Sequence, residues 1–134
     1  MPHLASLYFK TAIVFLLVGI AMGLQMAISG DHNVIGPHAH ANLLGWVTMA
    51  IFGGYYALNP AKAQGKLATI QYWVYTIGVV VIVPSLYLLY LGYTAFEPLT
   101  AIASLVILLG VILFAVVIYA KEPAPRAIPG GAAV

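Results

Sequence analysis

Four uninterrupted apolar runs, at residues 9–29, 38–58, 70–91 and 99–120, constrain this chain more than any other feature. Each matches the ~20 residues that a helix needs to cross the hydrocarbon core of a bilayer. Lys10 is the one charged side chain inside any of them. In hydrocarbon every backbone polar group must find its partner within the protein, so spanning segments are helices or closed barrels. Barrel strands alternate apolar and polar side chains. These runs are continuously apolar and read as helices. The 134 residues are 63 % apolar and 6 % charged, against roughly 45–50 % and about 25 % in a soluble domain. A soluble enzyme, a secreted disulfide scaffold and a nucleic-acid-binding domain are excluded on this ground. Cysteine is absent, which removes disulfides, thiolate metal sites and thiol nucleophiles.

The connections at 30–37, 59–69 and 92–98 are short, which makes consecutive helices antiparallel neighbours. The fold expected is all-α: an integral membrane, up-and-down four-helix arc over residues 1–122. Residues 123–134, with Pro123, Pro125, Pro129, Gly130 and Gly131, read as a disordered Pro/Gly/Ala tail. In such an arc Lys10, Lys62, Lys66, Lys121 and Arg126 fall on one side, and Asp31 and Glu97 on the other. Basic residues stay on the cytoplasmic side. Both termini are therefore expected in the cytoplasm, and the loops at 30–37 and 92–98 at the periplasmic or external face of a bacterial inner membrane. The first run exceeds a secretory signal core and has little charge before it, so it reads as a retained helix. Tyr55, Tyr56, Tyr72, Trp73, Tyr90, Tyr93, Phe96 and Tyr119 lie near run ends, where aromatic belts form.

The chemistry rests on His32, His38 and His40. All three fall at the external end, where no Lys or Arg opposes a metal ion. Pro37 suits the first position of the second helix, because it needs no donor there and its φ is preset. His38 and His40 then occupy the first turns. Successive helical residues turn by ~100°, so these two rings point to opposite sides and serve two sites. In an extended segment they share a side and, with His32, clip one ion. Neutral imidazole ligates haem iron, copper and zinc alike, which leaves the metal open. His40 and Asn42 lie within the span, where an ionisable or polar side chain needs a partner and marks a functional site. Gln25 is a further polar group of this kind. His3 and His32 read first as interfacial residues, whose rings sit among headgroups. Gly19 and Gly23 form a Gly-x-x-x-Gly pair suited to close helix packing, including packing between copies. Pro84 removes a backbone donor inside the third run and is expected to bend it.

The stretch His38-Ala39-His40-Ala41-Asn42-Leu43-Leu44-Gly45-Trp46, with Phe52-Gly53-Gly54-Tyr55-Tyr56 and Asn59-Pro60 after it, resembles the second helix of the haem–copper oxidase and nitric oxide reductase catalytic subunit, subunit I. In that family a histidine followed by x-Asn-Leu-Leu ligates the low-spin haem, and His40 matches that ligand. Gln71-Tyr72-Trp73, with Gly78, is similar to the start of the family's third helix. The resemblance covers roughly the first three helices. It implies that His40 is an axial ligand of a b-type haem, with Asn42 and Trp46 in the surrounding cofactor-binding motif. The family's subunit has twelve helices in three arcs of four, and this chain resembles one arc. It has no later histidine, no His-x-x-x-Tyr pair and no external Arg pair. The resemblance therefore implies haem binding for electron transfer, or for handling O2 or NO, and not a complete O2 or NO reductase. The family's tenth helix carries a His-x-His whose rings serve two haems, and His38-Ala39-His40 reproduces that pattern. This implies an arc that assembles with copies of itself, a homotrimer being the closed form. His40 of one chain and His38 of the next then share one iron, and a redox partner exchanges electrons with it.

Two other functions fit the same residues. One is a copper or zinc site made by His32, His38 and His40, without haem. The other is a cofactor-free membrane scaffold.

Overall fold

The computed structural model describes residues 1–122. The tail at 123–134 lies outside the described residues. Those described are helical, with no strand among them. In chain order they form α1 (His3–Ser29), α2 (Ile35–His40), a π-helical segment (Ala41–Thr48), α3 (Met49–Leu58), α4 (Pro60–Ala63), α5 (Lys66–Tyr90), a 3₁₀ turn (Thr94–Phe96) and α6 (Glu97–Tyr119). Three stretches, His3–Ser29, Lys66–Tyr90 and Thr94–Tyr119, are helices long and apolar enough to cross a membrane. The remaining apolar run is helical in three consecutive pieces. Its backbone stays helical at both junctions, with His40 at φ −65, ψ −41 and Thr48 at φ −65, ψ −42.

Helix ends differ from the ends of the apolar runs because local chemistry, not apolarity, stops a helix. α1 begins at His3 rather than Phe9, and α5 at Lys66 rather than Ile70. Gly30 ends α1 at φ 70 and Gly92 follows α5 at φ 102, a left-handed backbone that costs glycine little. The Asn59 amide donates to the Tyr55 carbonyl at 2.8 Å and closes α3. α2 starts at Ile35, two residues before Pro37. The missing N–H of Pro37 still falls in the first turn, where amides have no helical partner. α5 carries Pro84 without interruption.

Contacts give the helix directions. Tyr8, early in α1, stacks on Tyr56 late in α3 and meets Tyr72 early in α5 edge-on. Gln25, late in α1, bonds Tyr87 late in α5. Phe114, late in α6, packs on Phe52 and Tyr56. Neighbours in the chain thus run antiparallel, as the short connections require. Lys10, Lys62, Lys66 and Lys121 gather toward one end and Asp31, Glu97, His32, His38 and His40 toward the other.

The core lies nearer the cationic end. Tyr8, Phe52, Tyr56, Tyr72, Tyr75 and Phe114 interlock at centroid separations from 4.0 to 5.8 Å. Gln71, 0 % exposed, sits among them. Its carbonyl accepts the hydroxyls of Tyr8 (2.5 Å) and Tyr56 (3.2 Å), and its amide donates to the Gly110 carbonyl at 3.3 Å. One side chain therefore ties α1, α3, α5 and α6 together. Tyr56 and Tyr72 depart from the expected interfacial belt, at 0 % and 5 % exposed. Their hydroxyls need no water: Tyr56 has Gln71, and Tyr72 has the Thr11 hydroxyl at 2.7 Å. Trp73, Tyr90, Tyr93 and Tyr119 are exposed, as a belt requires. At the end of α6 the Lys62 ammonium donates to the carbonyls of Val117 (3.0 Å), Ile118 (2.6 Å) and Ala120 (2.9 Å). These belong to the last turn, where carbonyls lack helical partners and a cation is favoured.

Candidate functional site

The chain leaves α1 at Gly30 and enters α2 through a turn organised by Asp31. Its carboxylate accepts the Asn33 backbone N–H at 2.9 Å and the Asn33 amide at 3.1 Å. His32 lies in this turn, exposed, with Nδ1 3.2 Å from the Gly30 carbonyl. His38 and His40 follow on α2, both half-buried.

Each of these rings spends Nδ1 on the backbone. His38 Nδ1 is 2.8 Å from the Gly19 carbonyl of α1, and His40 Nδ1 is 2.8 Å from the Gly36 carbonyl of its own helix. A carbonyl oxygen only accepts, so Nδ1 is the donor in each pair, and in the neutral ring Nε2 is the nitrogen left with a lone pair. This tautomer, held from behind by a backbone acceptor, is the one that metal-ligating histidines use.

The two rings leave α2 in different directions. His38 lies against α1, where a Cβ on Gly23 would come within 3.1 Å of its Cε1. His40 bonds only its own helix, and the residues four before and four after it meet α5. One turn before it, Gly36 abuts the Tyr90 ring. One turn after it, the Leu44 carbonyl accepts the Tyr75 hydroxyl at 3.0 Å. The backbone between them is helical, so the extended geometry that would align both rings does not occur. Among the described residues no three of His, Cys, Asp and Glu gather as a metal-holding group. His32, His38 and His40 are thus not brought together as one clip.

The polar groups singled out in the spans have partners. The Asn42 amide donates to the His38 carbonyl at 2.9 Å. Gln25 and Tyr87 exchange two hydrogen bonds, at 2.9 and 3.1 Å. Gly19 and Gly23 act inside the chain: they let α2 and the π segment close on α1, with Asn42 beside Gly19 and His38 beside Gly23. Within one copy that glycine face is therefore already in contact with Asn42 and His38.

The π segment is the local feature that apolar patterning did not disclose. Bonding from i to i+5 is rare, and such segments occur frequently at functional sites. Here the segment begins directly after His40 and includes Asn42 and Trp46. The Thr48 hydroxyl reinforces it by donating to the Leu43 carbonyl, five residues back, at 2.8 Å. The wider winding keeps Pro37, Ala41, Gly45 and Met49 buried on one line, four residues apart. That spacing is the trace the segment leaves in the sequence. Gly45 admits the Phe15 ring, and Trp46 packs half-buried against the core. Gln71 was legible as part of a motif, but nothing near it in the chain announced its three partners on other helices.

Three grooves stand out among the described residues. One of about 610 Å³ lies between α1 and α5, one of about 840 Å³ lies at the cationic end, and one of about 130 Å³ lies beside Lys62. None of the three is lined by His32, His38 or His40. Comparison with protein families, curated proteins and solved structures finds no match.

Proposed function

We propose that this is a multi-pass membrane protein that binds a b-type haem through His40. The observation that carries the reading is the His40 ring. It sits within the apolar run, in the motif that resembles the haem-ligating helix of haem–copper oxidase subunit I. Its Nδ1 is held by the Gly36 carbonyl, and its Nε2 is free to ligate. The donor chemistry fits haem iron. His40 would supply one ring to the haem, and a neighbouring copy would supply the other. His38 of that copy, with Nδ1 likewise held and Nε2 free, is the proposed second ligand. A ring of three four-helix arcs, each with both termini cytoplasmic and the histidines external, closes the assembly. Haem would supply one-electron exchange, and its iron would take a diatomic gas only where one of the two rings gives up its place. The chain's own part is to orient the two rings and to keep water from them. The role is that of an electron carrier or O2/NO-handling protein, served by a redox partner, rather than a complete reductase.

The test is the absorption spectrum of the protein purified in mild detergent from cells supplied with haem precursor. The expected result is a Soret band with split α and β bands on reduction, carried by an oligomer the size of a trimer. A monodisperse monomer holding low-spin haem would sink the shared site. Stoichiometric copper or zinc without a Soret band would assign the histidines to a haem-free metal site. Neither metal nor haem would leave a scaffold.

A further inference from the structure

The groove of about 840 Å³ at the cationic end runs between the start of α1, α4 and the start of α5. Leu4 and Tyr72 form its buried part, and His3, Gln64, Thr69 and Trp73 are its exposed lining. Two lysines flank it by helical register. Lys66 shares a face of α5 with Thr69 and Trp73, three and seven residues on. Lys10 shares a face of α1 with His3 and Leu7. Both are exposed, whereas Lys62 is engaged by the carbonyls of α6. Of the three carboxylates in the chain, Asp31 and Glu97 lie at the other end and Glu122 at this one. The charge here is in cationic excess.

We infer that this groove binds a glycerophospholipid with an anionic headgroup. An apolar floor, an aromatic wall and two lysines set beside the groove by helical register match the three parts of such a molecule. Acyl chains run inward along Leu7 and Trp73, and the phosphate sits toward the helix starts, where Lys66 lies and toward which the long Lys10 side chain can extend. A zwitterionic lipid fits less well, because its own ammonium meets the two lysines. Free phosphate gains nothing from the apolar floor. Basic pockets between membrane helices hold anionic headgroups in this way, and each lysine near the surface contributes about fivefold in binding. The inference does not depend on the histidine site.

Contact between lipid and Trp73 is the measurement. The wild type and Trp73→Phe are reconstituted in phosphatidylcholine bilayers containing phosphatidylglycerol, with bromine on the acyl chains of one lipid or the other. Bromine quenches indole fluorescence at contact, and the difference between the two proteins isolates Trp73 from Trp46. Brominated phosphatidylglycerol should quench Trp73 with a relative association at least about fivefold above brominated phosphatidylcholine. Lys10→Gln with Lys66→Gln should bring that ratio close to one. Salt at ~0.5 M should do the same in the wild type, since screening acts on exposed charges. The salt titration keeps the test independent of how well the variant folds. Equal quenching by the two lipids would overturn the inference and leave an ordinary boundary layer. A preference that survives both salt and the double substitution would also overturn it. Absence of quenching by either lipid would show that protein covers the groove.

Discussion

His38 and Gly19 meet across the contact of α1 with α2: the imidazole Nδ1 donates to the glycine carbonyl at 2.8 Å. The approach depends on α1 having no side chain at positions 19 and 23. The same small surface that brings the helices close also sets the direction of a candidate ligand. Packing and chemistry are thus joined at one hydrogen bond.

Gly19→Ala should break that arrangement. A Cβ there would stand 2.5 Å from the Asn42 amide nitrogen and 2.6 Å from its oxygen. Overpacking of this kind costs about 1–3 kcal/mol, read as a lower thermal midpoint in detergent. Gly54→Ala is the control, since nothing lies within 4 Å of its Cβ position. It should match the wild type or exceed it slightly, because alanine is the better helix former. Equal stability of both variants would contradict the contact.

The ligand assignments separate by substitution. His40→Ala should abolish the low-spin haem spectrum. His38→Ala should leave five-coordinate, high-spin iron, and His32→Ala should change little. Loss of a ligand or its orienting partner lowers metal affinity by ~10–100-fold or more. A single copper or zinc site predicts a different pattern, with all three substitutions weakening one metal. An unaltered low-spin spectrum in His40→Ala would falsify the haem reading.

Gln71→Leu should be among the most damaging changes outside the histidines. It leaves the Tyr8 and Tyr56 hydroxyls without their partner, while the Gly110 carbonyl loses only a second donor beyond its helical one. Buried groups stranded in this way cost about 1–3 kcal/mol each in water-soluble proteins and closer to ~0.6–1.7 kcal/mol in membranes. The expected loss is about 2–4 kcal/mol in reversible unfolding. Adding Tyr8→Phe to Gln71→Leu should recover part of it, because the pair removes donor and acceptor together. Strict additivity in that cycle would mean that the two side chains do not interact.

Lys62→Met should loosen the end of α6. The methionine keeps an aliphatic chain but releases the carbonyls of Val117, Ile118 and Ala120. The loss should be about 1 kcal/mol, typical of a cation at a helix C-terminus. Hydrogen exchange should quicken at Ala120, whose amide bonds Val116, before it quickens in the core. Lys62→Arg should retain most of the protection.

Membrane sidedness is read with single cysteines. Asn33→Cys lies in the exposed turn near the histidines, and Gln64→Cys in the exposed loop at the cationic end. In intact cells an impermeant maleimide should label the first and spare the second until the membrane is opened. The reverse pattern would invert the proposed orientation.

The sequence by itself determined that the chain is helical and suited to a bilayer. Runs of that length, with Lys10 their one charge, leave the backbone one way to satisfy its own hydrogen bonds in hydrocarbon. It determined antiparallel neighbours through short connections, and it placed His32, His38 and His40 together at the end away from the lysines. It did not determine which face of each helix turns inward. In lipid an outward face is as apolar as an inward one, so no stripe marks the core. Tertiary structure alone drew Tyr56 and Tyr72 into the interior around Gln71. It spent Gly19 and Gly23 on contacts inside the chain, and it sent His38 toward α1 and set the turns on either side of His40 against α5. The π winding of Ala41–Thr48 belongs to the same level. Its four-residue line of buried positions has meaning only against the α1 surface on which Gly45 meets Phe15. A partner helix far away in the chain decides each of these features, and residues adjacent in sequence do not name that partner.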